Sequence, residues 1–117
     1  MKAQDQRVVI PCCKSFEFIM IKDVVRCEGL QNYTRLYLTD ETSIVSSYNI
    51  GTLNGIFENY NFFHCHKSHL INVEHVLRYY KYGEVEMIDT SKVPVARRRR
   101  EMFVQNVIGQ FSIAKAV

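Results

Sequence analysis

No stretch of this 117-residue chain approaches the roughly 20 consecutive apolar residues that span a bilayer, because Lys14, Glu17, Lys22 and Asp23 interrupt its most apolar early region. The N-terminus, Met1 to Arg7, runs into only a short apolar tripeptide, so the hydrophobic region of a secretory signal is missing. These absences set the expectation of a cytoplasmic chain with no membrane partner. Cysteine is sparse and badly spaced for a secreted scaffold: Cys12 and Cys13 are adjacent, which makes a poor disulfide, and Cys27 and Cys65 stand alone. Reduced, mostly packed thiols are expected. There is no internal repeat, no low-complexity run, and only two prolines, Pro11 and Pro94. Gly-rich phosphate loops, a G-x-S-x-G elbow and paired-carboxylate motifs are lacking too, so the expectation is a protein that is not an enzyme and needs no cofactor.

What is present suits one compact domain, with 47% hydrophobic and 23% charged residues. The formal charge of +3 is too small to name a partner. Its distribution says more. Residues 1 to 62 carry six basic and seven acidic residues, whereas residues 63 to 117 carry nine basic and five acidic. An anion would meet the C-terminal half first.

Short alternating stretches predict strands at Arg7 to Ile10, Phe16 to Ile21, Val24 to Cys27 and Tyr33 to Leu38, with a turn or bulge over Glu28 to Asn32. In the last of these strands Tyr33, Arg35 and Tyr37 should face one way, Thr34, Leu36 and Leu38 the other. Ser43 to Val45 follows as a return strand. Ile50, Leu53, Ile56 and Phe57 then fall on one helical stripe, with Ser46 or Ser47 as the candidate cap. Extended structure returns after Phe62 and Phe63, and Gly83 marks a hairpin between Arg78 to Tyr82 and Val85 to Ile88. Lys92 to Val95 makes a further strand. From Arg97 to about Gln110 the spacing of Val104, Val107, Ile108 and Phe111 predicts a second helix. Eight or nine strands beside sequence neighbours, with two short helices, predict a mainly β, antiparallel domain.

Three clusters could carry chemistry. Arg97 to Arg100 places four guanidiniums at the opening of a helix, where like charge is unfavourable unless an anion offsets it; a solvated charged face is the alternative. His64, Cys65, His66 and His69 include an imidazole pair at zinc-ligand spacing, but no second ligand pair completes a site, so no metal is expected. Seven tyrosines, among them Tyr33, Tyr37, Tyr79, Tyr80 and Tyr82, could stack on bases or simply pack on a sheet.

The run Phe63-His64-Cys65-His66-Lys67-Ser68-His69-Leu70-Ile71-Asn72-Val73, followed by Val93-Pro94-Val95-Ala96-Arg97-Arg98, resembles the signature of the LytTR domain. That is the DNA-binding domain of the LytR/AgrA type of bacterial response regulator. Ile21 to Glu28 and Asn32 to Leu38 resemble its early strand pair, and Ser46 to Phe57 sits where its short helix lies. The resemblance covers residues 15 to 110, leaving 1 to 14 as an N-terminal extension and 111 to 117 as a tail.

The resemblance implies an elongated, antiparallel, multi-sheet β domain with one or two short helices. It implies sequence-specific binding to promoter duplex DNA, with loops entering successive major grooves. Carried over by position, the DNA-binding residues are Asn32, Thr34 and Arg35, then His66, Lys67 and Ser68, then Arg97 and Arg98. Lys67, Ser68 and Arg98 are expected on phosphates; Thr34, Arg35 and Arg97 are expected on base edges. His66 and Asn72 are either direct contacts or hydrogen-bonders that fix a loop. His64 stands where the family commonly has arginine. The resemblance also implies a receiver domain and sensor kinase in the intact system, and a dimer on DNA. A single-stranded nucleic-acid binder and a basic protein-interaction module are the alternatives.

Overall fold

A computed structural model describes residues 3–114 of the chain. Ten strands and two α-helices make an elongated body of 54 × 33 × 24 Å. The mainly β, antiparallel architecture expected from the sequence is what is found.

β1 (Arg7–Pro11) and β2 (Phe16–Met20) form a two-stranded ribbon. β3 (Val24–Leu30), β4 (Tyr33–Leu38), β5 (Ser43–Ser46), β6 (Phe62–His66) and β7 (His69–Asn72) form a five-stranded sheet in the order β5-β4-β3-β7-β6. β8 (Val76–Tyr80), β9 (Glu84–Met87) and β10 (Lys92–Pro94) form a third sheet in the order β10-β9-β8. α1 (Ile50–Phe57) links β5 to β6, and α2 (Arg100–Asn106) follows the arginine run.

The alternation expected in β4 is present: Thr34 and Leu36 are buried, Tyr33 is exposed, and Arg35 and Tyr37 are half-buried. β3 is longer than its apolar run because Leu30 pairs directly with Tyr33, so the reversal is confined to Gln31 and Asn32. Gln31 takes the turn's left-handed conformation (φ 60°).

Two cores lie on opposite faces of the central sheet. Leu36, Cys27, Leu70 and Phe62 pack with Ile10 of β1 and with Leu53 and Phe57 of α1. Phe63, Ile71 and Cys65 pack with Val85, Met87 and Val93 of the third sheet and with Phe103 of α2. α1 shows which term wins. Gly51 and Gly55 each cost it about 1 kcal/mol in propensity, but Leu53 and Phe57 are fully buried, worth roughly 1.5 to 3 kcal/mol each.

Two local expectations are corrected. The cap of α1 is Asn49, which accepts the N–H of Thr52 at 2.8 Å; the Ser46 and Ser47 hydroxyls instead donate to the Pro11 carbonyl, which also accepts the Ser47 N–H. The C-terminal helix is broken into a 3-10 turn (Arg97–Arg99), α2, and a second 3-10 turn (Ile108–Gln110). Its buried stripe includes Phe103 and Val107, while Val104 and Phe111 are exposed. Ahead of β2, Ile10 of β1 is in the core, and Gln4 is buried against Asn72.

Candidate nucleic-acid interface

The three segments singled out in the sequence meet at the β6–β7 hairpin. On one side the N–H of Gly29, in β3, donates to the Ser68 carbonyl at 2.9 Å. On the other, the N–H of Ala96 donates to the Cys65 carbonyl at 2.8 Å, and Arg99 Nη1 donates to the His64 carbonyl at 2.9 Å. The hairpin is therefore the middle of a connected edge, with the β3–β4 turn and the arginine run as its flanks.

A Cβ at Gly29 would lie 3.4 Å from Ile50 Cγ2 and 3.7 Å from Ser68 Cα, ordinary contact distances, so the join does not depend on the absence of a side chain there.

The expected site residues are not equally available. Asn32 and Lys67 are exposed, on the β3–β4 turn and at the hairpin tip, and Arg97 and Arg98 are exposed on the 3-10 turn. Arg35 is half-buried, with Nη1 donating to Ser43 Oγ at 3.1 Å. His66 and Ser68 are half-buried and joined to each other, the Ser68 N–H donating to His66 Nδ1 at 3.1 Å. Thr34 is fully buried and its hydroxyl donates to the Tyr48 carbonyl at 2.9 Å. Its side chain faces the core, on the same side as Leu36, and holds the β5–α1 connection rather than offering a donor outward.

The arginine run also divides. Arg99 is held by its bond to His64, and Arg100 Nε donates to the Val95 carbonyl at 3.2 Å. Tertiary contacts hold these two and, among the described residues, leave the Arg97 and Arg98 side chains without a hydrogen-bond or ion-pair partner.

Asn72 is buried and fully employed. Its Nδ2 donates to Gln4 Oε1 at 3.0 Å and the Val24 carbonyl at 2.9 Å, and its Oδ1 accepts from Gln4 Nε2 and the Glu74 N–H. Of the two roles left open for it, loop fixing is the one its geometry serves.

Across the central sheet one row of paired residues reads Val45, Arg35, Glu28, His69, His66. Glu28 is its only acid. It accepts from the Tyr37 hydroxyl at 2.8 Å, while the Arg26 guanidinium stacks on the Tyr37 ring at 3.8 Å from its centroid. Burial and this bond to Glu28 push the Tyr37 hydroxyl's pKa up. His64 and His69 each have a buried ring nitrogen without a partner, Nε2 and Nδ1 respectively. Burial lowers the pKa of both, helped at His64 by Arg99 and at His69 by His66.

Among the described residues no group of three or more histidine, cysteine, aspartate or glutamate side chains is gathered as metal ligands require. No helix of the described residues is long and apolar enough to cross a membrane.

A family profile described as the LytTr DNA-binding domain matches residues 14–107. The chain belongs to this family. It is a DNA-binding family and not a catalytic one. A solved structure similar to this LytTR domain is a LytTr DNA-binding domain assigned to a methyl-accepting/DNA response regulator from Bacillus cereus. The TM-score is 0.71 at 18% sequence identity, covering 88% of this chain and 96% of the other. At that identity the likeness speaks for the fold. No curated protein matches the chain.

Proposed function

We propose that this LytTR domain recognises promoter duplex DNA by sequence, as the output domain of a bacterial two-component response regulator acting in the cytoplasm. The observation that carries this reading is the edge itself. Two backbone hydrogen bonds, Gly29 to Ser68 and Ala96 to Cys65, align three segments whose exposed side chains include Lys67, Arg97 and Arg98. Duplex DNA presents a regular line of phosphates with base edges between them, and a rigid edge of spaced cations suits it. Lys67, Ser68 and Arg98 are assigned to phosphates. Arg97, Arg35 and Asn32 are assigned to base edges in the major groove, where guanine takes arginine in a two-bond fork. Thr34 is assigned to supporting the β3–β4 turn from beneath. An upstream receiver domain, its sensor kinase and pairing of two domains on DNA complete the reading.

A tyrosine platform for single strands has less in its favour. Tyr80 and Tyr82 stack on each other with centroids 5.5 Å apart, and their hydroxyls donate to Glu86 and Glu84, carboxylates that would repel a phosphate backbone.

Selection of bound duplexes from a random library at about 0.15 M salt tests the proposal, since specific and purely electrostatic binding separate there. Enrichment of one motif is the expected result. Uniform recovery, or displacement of duplex by single strands, overturns it.

A further inference from the structure

The turn at the centre of the edge is closed by a side chain. His66 Nδ1 accepts the N–H of Ser68, two residues on, as the oxygens of asparagine and aspartate do in Asx turns. A neutral imidazole carries one ring proton, so with Nδ1 accepting, that proton is assigned to Nε2. The same Ser68 uses its carbonyl to hold Gly29. One histidine nitrogen thus supports both the hairpin tip and the join to the β3–β4 turn.

We propose that His66 is a positioning residue whose Nδ1 holds Lys67 and Ser68 in place for DNA. The proposal rests on the DNA-binding reading above. The bond closes the turn across Lys67, and the same turn carries the Ser68 carbonyl that holds Gly29. His69 of β7 flanks the ring with centroids 5.3 Å apart.

Substitution separates this role from a direct contact. His66→Asn removes the imidazole but keeps an acceptor, because its Oδ1 accepts the same N–H, whereas His66→Ala removes the acceptor. A histidine that itself touched DNA would be missed in both variants.

Affinity for the selected duplex is measured by fluorescence anisotropy at fixed pH and salt. His66→Asn is expected to bind within about twofold of wild type, and His66→Ala about fivefold more weakly, the loss of one hydrogen bond. Equal binding by the alanine and asparagine variants overturns the proposal. Nuclear magnetic resonance on the domain without DNA gives an independent readout. The Ser68 amide should lose exchange protection in His66→Ala and keep it in His66→Asn; an amide equally protected in both also overturns it. If the amide responds but no duplex is bound in the library selection, the DNA reading has failed and the turn mechanism has not.

Discussion

The β6–β7 and β8–β9 hairpins share antiparallel pairing and are closed by opposite means. In the first, a side chain closes the turn, the tip residue Lys67 is exposed, and the flanks are held by backbone bonds to Gly29 and Ala96 and by Arg99 at the His64 carbonyl. In the second, Gly83 adopts φ 105° and is buried, its N–H donates to the Tyr80 carbonyl at 2.8 Å, and its own carbonyl accepts from Val95. The Arg100 guanidinium fills the space where a Cβ would stand. The first hairpin is presented to solvent; the second is bolted to α2. The difference teaches how an arginine-rich stretch divides its labour: Arg97 and Arg98 stay exposed, while Arg99 and Arg100 tie the two hairpins to the helix that follows them.

The largest effect should come from the bolted hairpin. Gly83→Ala forces an L side chain into a positive-φ backbone and displaces Arg100 from its bond to Val95. Together these cost roughly 2 to 4 kcal/mol of stability. Urea unfolding measures it, and the folded fraction should bind the selected duplex within about twofold of wild type. An unchanged urea midpoint would erase the contrast between the hairpins.

The presented side should give the reverse pattern. Arg97→Ala is expected to cost roughly 1 to 3 kcal/mol of binding and relax the preference at particular base pairs. Lys67→Ala should weaken every duplex alike and reduce the salt slope by about 1. Both residues are exposed, so the urea midpoint should move by no more than about 0.5 kcal/mol. Arg99→Ala crosses the line: losing its bond to the His64 carbonyl should cost about 1 kcal/mol of stability. Equal loss on matched and scrambled duplexes for Arg97→Ala would remove it from the base readers.

Much of this contrast was legible in residues alone, for identifiable reasons. Alternation in Tyr33 to Leu38 is a period-2 signal that one buried face enforces, and Gly83 between two apolar runs marks a hairpin. What could not be read depends on distant partners. Nothing local separates Arg97 and Arg98 from Arg99 and Arg100; the carbonyls of His64 and Val95 do. Thr34 has the side chain of a DNA-contacting residue, but the pairing of β4 turns it to the core. The stripe of the last helix was read without Phe103, which packs edge-on against Phe63 at 5.7 Å and against Tyr79 at 4.5 Å. The burial of Gln4 depends on distance too, since its partner Asn72 is 68 residues away.

The smallest expected effect separates the hairpins by their response to acid. His64 and His69 belong to β6 and β7, and burial holds both below the ordinary histidine value of 6.5. The unfolded chain therefore takes up protons first as pH falls. Stability from these two residues is fully present above about pH 6.5 and is lost as the pH falls from there through their folded-state values. β8 and β9 contain no histidine, and their shifted groups sit at the alkaline end, with the hydroxyl of Tyr82 pushed up to about 12 by its bond to Glu84. The wild-type urea midpoint should thus drop on acidification more than that of a His64→Gln, His69→Gln double variant. The destabilisation by Gly83→Ala should stay the same across that range. If the double variant keeps the full acid loss, the two neutral imidazoles are not its source. If Gly83→Ala becomes pH-dependent, the two hairpins do not open independently, and Arg99 and Arg100, neighbours in the chain that hold one hairpin each, are the coupling between them.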